Sequence, residues 1–364
     1  MKIREITDYL ESLAPLKTQE SYDNSGLIFG DRNAEVQSAL ISLDCTEAIV
    51  QEAIDRNCQL IISHHPIVFR GLKSLTGSNY VERTIIKAIQ NNIAIYAIHT
   101  NLDNYQYGVN ARIGEKLGIQ QPEILSPKKG DLIKLVTFVP HDHLSSVQDA
   151  LFSNGAGQIG DYSDCSFSLK GTGTFFGNEN SSPAIGESGK RESAEESRLE
   201  VVCNKYILNE LVSVLLNAHP YEEVAYDCYE LLNSDNTVGS GMIGELETSI
   251  PTTEFLTLLK REFKCGVIRH TDLVKTEIKR VAWCGGSGSF LLSAAKGKKA
   301  DIFITGDFKY HEFFDAENQL VIADIGHFES EQFTIDLIAE LLQKKFPTFA
   351  ACLTGVNTNP IKYF

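Results

Sequence analysis

Histidines and acidic residues stand directly after the short apolar runs of this sequence, at points where strands are predicted to end. The run QLIIS leads into His64 and His65, and the run IAIYAI leads into His99, with Asp103 four residues later. The other candidates after such runs are Asp44, Asp307, His327 and Glu331. In an open α/β sheet, ligands bind beyond the carboxyl ends of the strands, so these side chains are expected at one edge of one sheet. Neutral imidazole and carboxylate together form the ligand set of zinc, manganese or iron.

His64 and His65 are adjacent, and neighbours within a regular strand point to opposite faces of the sheet. They can converge only where the strand ends, and Pro66 permits this because it biases His65 toward an extended conformation. The alternative is that one histidine is a satisfied core residue and the other is exposed. The residues alone leave both interpretations open.

His327 and Glu331 are four residues apart near the start of a predicted helix, so they can share one face of it. Glu329 is expected to point away, and Glu331 is expected to be a surface carboxylate that contributes little to stability. The alternative is a solvated helix start, where carboxylates interact favourably with the helix dipole. Asp103 could equally be a turn residue or a helix cap, and His99 could hydrogen-bond to a ligand instead of touching metal.

Two domains are predicted from the order of these elements. Short β-branched runs alternate with helical stretches from residue 38 to about 118, and again from about 280 onward. This alternation predicts βαβ units and an α/β fold with a mostly parallel sheet that is buried on both faces. The segment between these two regions is predicted to contain strands of alternating hydrophobicity and two helices. We therefore predict a split α/β domain at 1–127 and 247–364, interrupted by an inserted α+β domain at 128–246.

Two glycine-containing segments follow predicted strands. Gly285-Gly286-Ser287-Gly288 opens a helix, so its amides could hold an anion, although a tight turn that needs glycine explains it equally well. It lacks the lysine of a P-loop and the third glycine of a dinucleotide fingerprint. Thr305-Gly306-Asp307, with His311 four residues on, could be a site wall or a helix cap.

The composition is that of an acidic globular protein. Its 364 residues include 33 Lys plus Arg against 48 Asp plus Glu, a formal charge of −15, and 43% are hydrophobic. This balance argues against a general binder of nucleic acid or of anionic membranes, both of which need a basic face. No apolar run approaches the ~18 residues of a membrane span, and the N-terminus lacks the apolar region of a signal peptide. The eight cysteines are scattered without a CxxC pair, which favours a reducing cytoplasm.

Six segments together resemble the Nif-three-like family, whose members often carry the name GTP cyclohydrolase 1 type 2 homologue. They are SYDNSGLIFG at 21–30, SHHPIVF at 63–69, HTNLD at 99–103, GGSGS at 285–289, TGDFKYHEFFDA at 305–316 and IGHFESE at 325–331. Each match is weak alone, but together they are specific and extend over nearly the whole chain. The family usually has tryptophan where this chain has Tyr22, which is a packing change.

The resemblance implies a dinuclear metal centre whose ligands are His64, His65, Asp103, His327 and Glu331. It also implies two divalent ions per subunit, with zinc, manganese and iron all suited to the ligands. The assembly implied is a toroidal homohexamer whose metal sites face an inner cavity. The 128–246 insertion resembles the PII/CutA-like domain of the longer family members, through the matches GTGTFF and HPYEEVAYD.

Two functions are compatible with these residues and with the family resemblance. The first is a metal-dependent hydrolase acting on a nucleotide or on another phosphorylated or cyclic amide-like small molecule. In it Glu331 or Asp103 would bridge the ions and His99 or His311 would move protons. The second is a non-catalytic metal-binding hexamer, a scaffold or regulator, which the PII-like insertion favours. Five protein ligands for two metals leave open coordination positions, and we therefore favour the hydrolase.

Overall fold

The chain divides into two units, the second of which interrupts the first. The computed structural model describes residues 1–182 and 184–364. The first unit comprises residues 1–126 and 237–364, and the second comprises residues 127–236. Both boundaries expected from the sequence fall inside strands: the one after residue 127 lies in a strand that spans Gln120–Lys129, and the one after residue 246 lies in a strand that spans Ser234–Pro251.

The secondary structure follows chain order. The helices are α1 Ile3–Leu13, α2 Glu47–Asp55, α3 Tyr80–Gln90, α4 Thr100–Asp103, α5 Val109–Lys116, α6 Leu144–Ser153, α7 Leu208–Ala218, α8 Thr252–Glu262, α9 Leu292–Gly297, α10 His327–Glu331 and α11 Thr334–Lys345. The strands are β1 Gly26–Phe29, β2 Ser38–Ser42, β3 Leu60–Ser63, β4 Ala94–Ala97, β5 Gln120–Lys129, β6 Leu132–Pro140, β7 Ser166–Phe176, β8 Arg191–Asn204, β9 Tyr226–Glu230, β10 Ser234–Pro251, β11 Arg269–His270, β12 Glu277–Ser287, β13 Ile302–Gly306, β14 Val321–Asp324 and β15 Ala350–Leu353. None of the helices within the described residues is long and apolar enough to cross a bilayer.

The first sheet of the split unit has five strands in the order β1-β4-β3-β2-β15. The pairs β15–β2, β2–β3 and β3–β4 are parallel, and β1 pairs with β4 in the antiparallel sense. Every residue of β3 and β4 is buried, because helices cover both faces of this sheet. Side-chain oxygens of Thr46 and Asn79 cap the first turns of α2 and α3, which fixes where each crossover helix begins.

A second sheet, in the same unit, has six strands in the order β11-β14-β13-β12-β10-β5. Strands β12, β13 and β14 are parallel, whereas β10 and β11 are antiparallel to their neighbours. The α/β class predicted from the sequence is confirmed, but the expectation of one sheet shared by both halves is wrong. Hydrophobic periodicity identifies strands without specifying their neighbours, so it could not distinguish one sheet from two.

Each of the two sheets contains a strand from the other half of the sequence. Strand β15, from the C-terminal half, pairs with β2 in the first sheet, and β5, from the N-terminal half, belongs to the second sheet. A single core joins them, since Ile41 and Tyr96 of the first sheet and Trp283 and Ile304 of the second belong to one buried cluster. The two halves of the split unit are therefore held together by the pairing of their strands and by the packing of one shared hydrophobic core.

The inserted unit is an antiparallel sheet in the order β7-β8-β6-β9 with the helices α6 and α7. Its core is built by alternate residues of β6 and β8, such as Leu135 and Leu199, together with Leu151 of α6 and Leu215 of α7. This α+β architecture explains why the insertion interrupts the βαβ pattern of the chain. Its resemblance to PII/CutA-like domains stays a prediction.

Because each unit has its own buried cluster, we expect the split unit to fold without the insertion. A variant that joins Ser126 to Thr237 through a short glycine linker should unfold cooperatively and should still bind metal. Strands β5 and β10, which lead into and out of the insertion, are neighbours in one sheet, so the linker has a short distance to span. Thermal unfolding, followed by the fluorescence of Trp283, measures the cooperativity of unfolding, since Trp283 is the only tryptophan of the sequence. Non-cooperative unfolding would contradict independent folding of the split unit.

Candidate metal centre

Strand ends of both sheets position the candidate ligands. His64 and His65 follow β3, while His99 follows β4 and precedes α4, whose last residue is Asp103. His327 and Glu331 are the first and last residues of α10, which follows β14 of the second sheet. The structure brings these six side chains into one cluster, at the carboxyl ends of strands from two sheets.

The two adjacent histidines converge because the chain leaves the regular strand at Ser63. The amide of His64 donates to the carbonyl of Ser42 and that of His65 donates to Leu43, so the backbone stays anchored to the chain that follows β2. Their ring centroids are 4.9 Å apart and tilted by 48°. Both imidazoles thus belong to the same cluster, in which His65 lines the cavity and His64 is fully buried.

Each of the four histidines uses its Nδ1 atom to contact an acceptor. The pairs are His64 with the carbonyl of Ile98 at 2.8 Å, His65 with Asp44 at 2.9 Å, His99 with Asp23 at 2.8 Å and His327 with Asp307 at 2.6 Å. An Nδ1 proton donated in this way leaves the lone pair of Nε2 free and fixes the orientation of the ring. This is the arrangement in which proteins present histidine to a metal.

One group of possible ligands consists of His65, His327 and Glu331. The Nε2 atoms of both histidines lie 3.0 Å from Oε2 of Glu331, and 3.2 Å from each other. Ligands held about 2.0–2.2 Å from a tetrahedral ion are themselves roughly 3.3 Å apart, which is close to this spacing. A cation between them would remove the repulsion among three neighbouring lone pairs.

A second group consists of His64, Asp103 and Glu331. The Nε2 atom of His64 lies 3.5 Å from Oδ1 of Asp103 and 3.9 Å from Oε1 of Glu331. Within the described part of the chain, His64 Nε2 and Asp103 Oδ1 are buried atoms without a hydrogen-bond partner. A buried polar atom without a partner is costly, so these orphaned atoms fit a bound cation.

The charges of the cluster also suit a cation. Burial lowers the pKa of His65 and of His327, but contacts with carboxylates outweigh this. Asp44 and Glu331 raise the pKa of His65 to about 9, and Glu331 and Asp307 raise that of His327 to about 11. Burial would raise the pKa of Glu331, yet the neighbouring histidines hold it well below its usual range. Positive charge is stabilised where the lone pairs converge, and a metal ion would take the place of the protons.

The glycine segment at the end of β12 makes room for Glu331. Gly286 has a φ of +60°, and a Cβ at this position would lie 2.3 Å from Oε1 of Glu331. The amide of Gly285 donates to Oδ1 of Asn110 and that of Gly286 donates to Oγ of Ser330. Of the two interpretations left open by the sequence, these contacts support the turn that needs glycine, since Gly286 has a positive φ and the amides of Gly285 and Gly286 already have partners in the protein.

Comparison with known proteins identifies the family. Residues 1–360 match the model described as Duf34/NIF3 (NGG1p interacting factor 3). The chain belongs to the NIF3 family. It is 38% identical over 363 residues to a protein of Halalkalibacterium halodurans named GTP cyclohydrolase 1 type 2 homolog, with 98% of each chain covered. A Bacillus subtilis protein of the same name is 34% identical over 366 residues, covering 99% of this chain and 98% of its own.

Solved structures agree with this assignment. The structure of a Bacillus cereus protein related to NIF3 superposes with a TM-score of 0.85 at 36% identity, covering 100% of this chain and 99% of the other. The family relation predicted from six sequence segments is therefore confirmed over the whole length of the chain.

The structure places three side chains of this NIF3 chain whose positions the sequence left as expectations, those of Glu331, Glu329 and His311. Glu331 is not a surface carboxylate: it is 2% exposed, because α10 packs against β12 and β13 and the Glu331 carboxylate contacts the ring of His65. Glu329 is also buried, at 7% exposed, but it belongs to none of the three groups of side chains that could hold a metal, and it accepts a hydrogen bond from Nδ2 of Asn359. His311 is exposed, contacts the rings of Tyr310 and Phe314, and is not among the described residues that line the cavity.

Two polar residues near the cluster were missed by the sequence analysis. Asp23 accepts hydrogen bonds from the His99 ring and from the amide of Thr100. Thr358 donates to Oδ2 of Asp44, the carboxylate that holds His65. Asp23 stands within the SYDNSG segment that carried the family resemblance, which was the available signal, whereas nothing in the spacing of Thr358 indicated its contact.

We expect Asp44→Ala to weaken metal binding by about 10- to 100-fold, because His65 would lose the acceptor that orients its ring. Competition with a fluorescent chelator measures the affinity. Asp315→Ala, which removes an exposed carboxylate of the same unit, is the matched control and should bind metal normally. Equal affinities for the two variants would show that Asp44 does not orient His65.

Proposed function

We propose that this protein holds two divalent metal ions and hydrolyses a small molecule with them. The observation that supports the proposal is the position of Glu331, whose two carboxylate oxygens face different ligand groups. Oε2 would share one ion with His65 and His327, and Oε1 would share the other with His64 and Asp103. The five ligands are those that the family resemblance implied.

A bound pair of divalent ions supplies Lewis acidity and lowers the pKa of a water molecule. The residues of the chain then have distinct tasks. Asp44 and Asp307 hold the rings of His65 and His327 in place through their Nδ1 atoms. The burial of His64, of Glu331 and of the Oδ1 atom of Asp103 keeps bulk water away from the inner side of the cluster.

His99 is the residue in position to move a proton. Its ring centroid lies 5.2 Å from those of both His64 and His65, and its Nδ1 atom contacts Asp23. It lines the cavity, so its Nε2 atom can accept a proton from the attacking water and return it to the leaving group. His311, which was the other candidate, is exposed and outside the lining, and the geometry favours His99 for this role.

The competing function is a non-catalytic metal-binding scaffold or regulator. A cavity of about 680 Å³ opens over the ligands, which favours the hydrolase because a purely structural site is usually closed by four protein ligands. Turnover separates the two functions. A hydrolase forms more product than the enzyme present, loses activity on chelation and regains it with the same metal.

The decisive experiment begins with elemental analysis of natively purified protein, since zinc, manganese and iron all suit these ligands. The protein with that metal restored is then screened against nucleotides, phosphoesters and cyclic amides. We expect hydrolysis of at least one class, abolished by chelation. Hydrolysis that survives complete metal removal, or no turnover with any class, would contradict the two-metal hydrolase.

We also propose that the protein acts as a homohexamer in a reducing cytoplasm. The family resemblance supports the hexamer, and the eight free cysteines support the compartment. Light scattering should give a mass near six times 40.3 kDa across micromolar concentrations. A mass of one chain would contradict the hexamer.

A further inference from the structure

The cavity over the metal ligands has acidic walls. Its lining includes the carboxylates of Glu20, Asp44, Asp103, Asp307 and Glu331. Neither lysine nor arginine is among the lining residues in the ranges 1–182 and 184–364. Two divalent ions would bring about four positive charges, which these five carboxylates already balance. The site therefore offers little net attraction to a molecule with several negative charges.

The first two amides of the glycine segment are not available to an anion. An anion such as a phosphate chain is commonly held by free amides in a glycine-rich turn. Here the amides of Gly285 and Gly286 donate to Asn110 and Ser330. These two amides are thus used by the hydrogen bonds that place the segment beside Glu331.

Aromatic rings border the same cavity. Tyr22, Phe69, Tyr80 and Phe290 all line it, and all four are substantially exposed to solvent. Exposed aromatic side chains around a concave site are a common sign of ligand contact. Their faces can stack against a flat ring of any base type, whereas they offer nothing to a phosphate.

From these walls we infer that the ligand of the centre is an uncharged, planar ring system, bound by stacking, and that a triphosphate chain is not recognised. The inference rests on the proposed function for the two metal ions that the carboxylates of the cavity balance. The binding claim itself does not require turnover.

Calorimetric titration of natively purified, metal-containing protein tests the inference with four pairs of probes. Each pair is a nucleoside and its 5′-triphosphate, with guanine, adenine, cytosine or uracil as the base. We expect at least one nucleoside to bind as tightly as its triphosphate or more tightly. Triphosphates that bind tenfold tighter than their nucleosides, or no binding by any nucleoside, would overturn the inference.

A pair of variants isolates the stacking contribution. Phe290→Ala, which removes a cavity ring that is 67% exposed, should weaken nucleoside binding about tenfold with the metal content unchanged. Phe314→Ala removes an equally exposed ring, at 66%, that does not line the cavity, and it should bind normally. Equal binding by the two variants would overturn the stacking role. A nucleoside that binds without being hydrolysed would leave this inference standing, because the hydrolase is contradicted only when no class in the substrate screen is turned over.

Discussion

The Glu331→Gln protein is expected to contain one metal ion per chain or none, against two in the unchanged protein. Glutamine preserves the size of the side chain but removes the negative charge shared by the two ligand groups. Without that charge, His65 and His327 face each other at 3.2 Å with a weaker attraction for a cation. Elemental analysis of dialysed protein gives the metal content, and the fluorescence of Trp283 reports whether the fold is retained.

Glu329→Gln is the matched control for this variant. Glu329 lies in the same helix, is buried like Glu331 and receives the same substitution, but its carboxylate contacts Asn359 and lies outside the ligand groups. It should retain both ions. Two ions in the Glu331 variant, or metal loss confined to the Glu329 variant, would show that the ligand assignment is wrong.

Gly286→Ala is expected to reduce metal content as severely as the loss of the Glu331 charge. The added Cβ would lie 2.3 Å from Oε1 of Glu331, so either the carboxylate or the glycine segment has to move. The φ of +60° adds a conformational cost of about 1–2 kcal/mol for alanine. Metal content and thermal unfolding, measured on the same preparation, separate the displacement of the ligand from the loss of stability.

Gly118→Ala controls for the backbone cost alone. Gly118 has a similar φ of +70°, and a Cβ there would meet nothing within 4 Å. This variant should lose a comparable amount of stability while keeping its full metal content. Full metal content in the Gly286 variant as well would mean that the glycine segment does not determine the position of Glu331.

The convergence of the candidate side chains was predictable from the sequence because its signal is local. Each candidate follows an apolar run, and a parallel strand delivers the next side chain to a defined edge of its sheet. The i, i+4 spacing placed Glu331 on the same helix face as His327, which agrees with the distance of 3.0 Å between Oε2 of Glu331 and Nε2 of His327. What the spacing could not supply was burial, since the packing of α10 against β12 and β13, and the contact of Glu331 with His65, join residues distant in sequence.

Other features depended on contacts that no local pattern encodes. The presence of two sheets follows from which strands pair, and the pairing of β2 with β15 joins residues at opposite ends of the sequence. The partner of Asp44, Thr358, belongs to a segment without regular structure, for which no periodicity exists to interpret. His311 satisfied the same spacing rule as the ligands, yet it stands in a 3₁₀ turn that directs it to solvent.

The exchange of strands also orders events during synthesis of the chain. Strand β2 at residues 38–42 has one edge that only β15, at residues 350–353, completes. Roughly 300 residues separate them, so at about 5–20 residues per second a ribosome needs on the order of 15–60 s to produce the missing partner. Throughout that time the nascent chain carries an open sheet edge, and two of its five proposed ligands, His327 and Glu331, are added only shortly before β15. The set of proposed ligands is therefore complete only in the last part of translation, and a chain stalled before residue 327 would lack the proposed metal site and keep a sheet edge that favours aggregation.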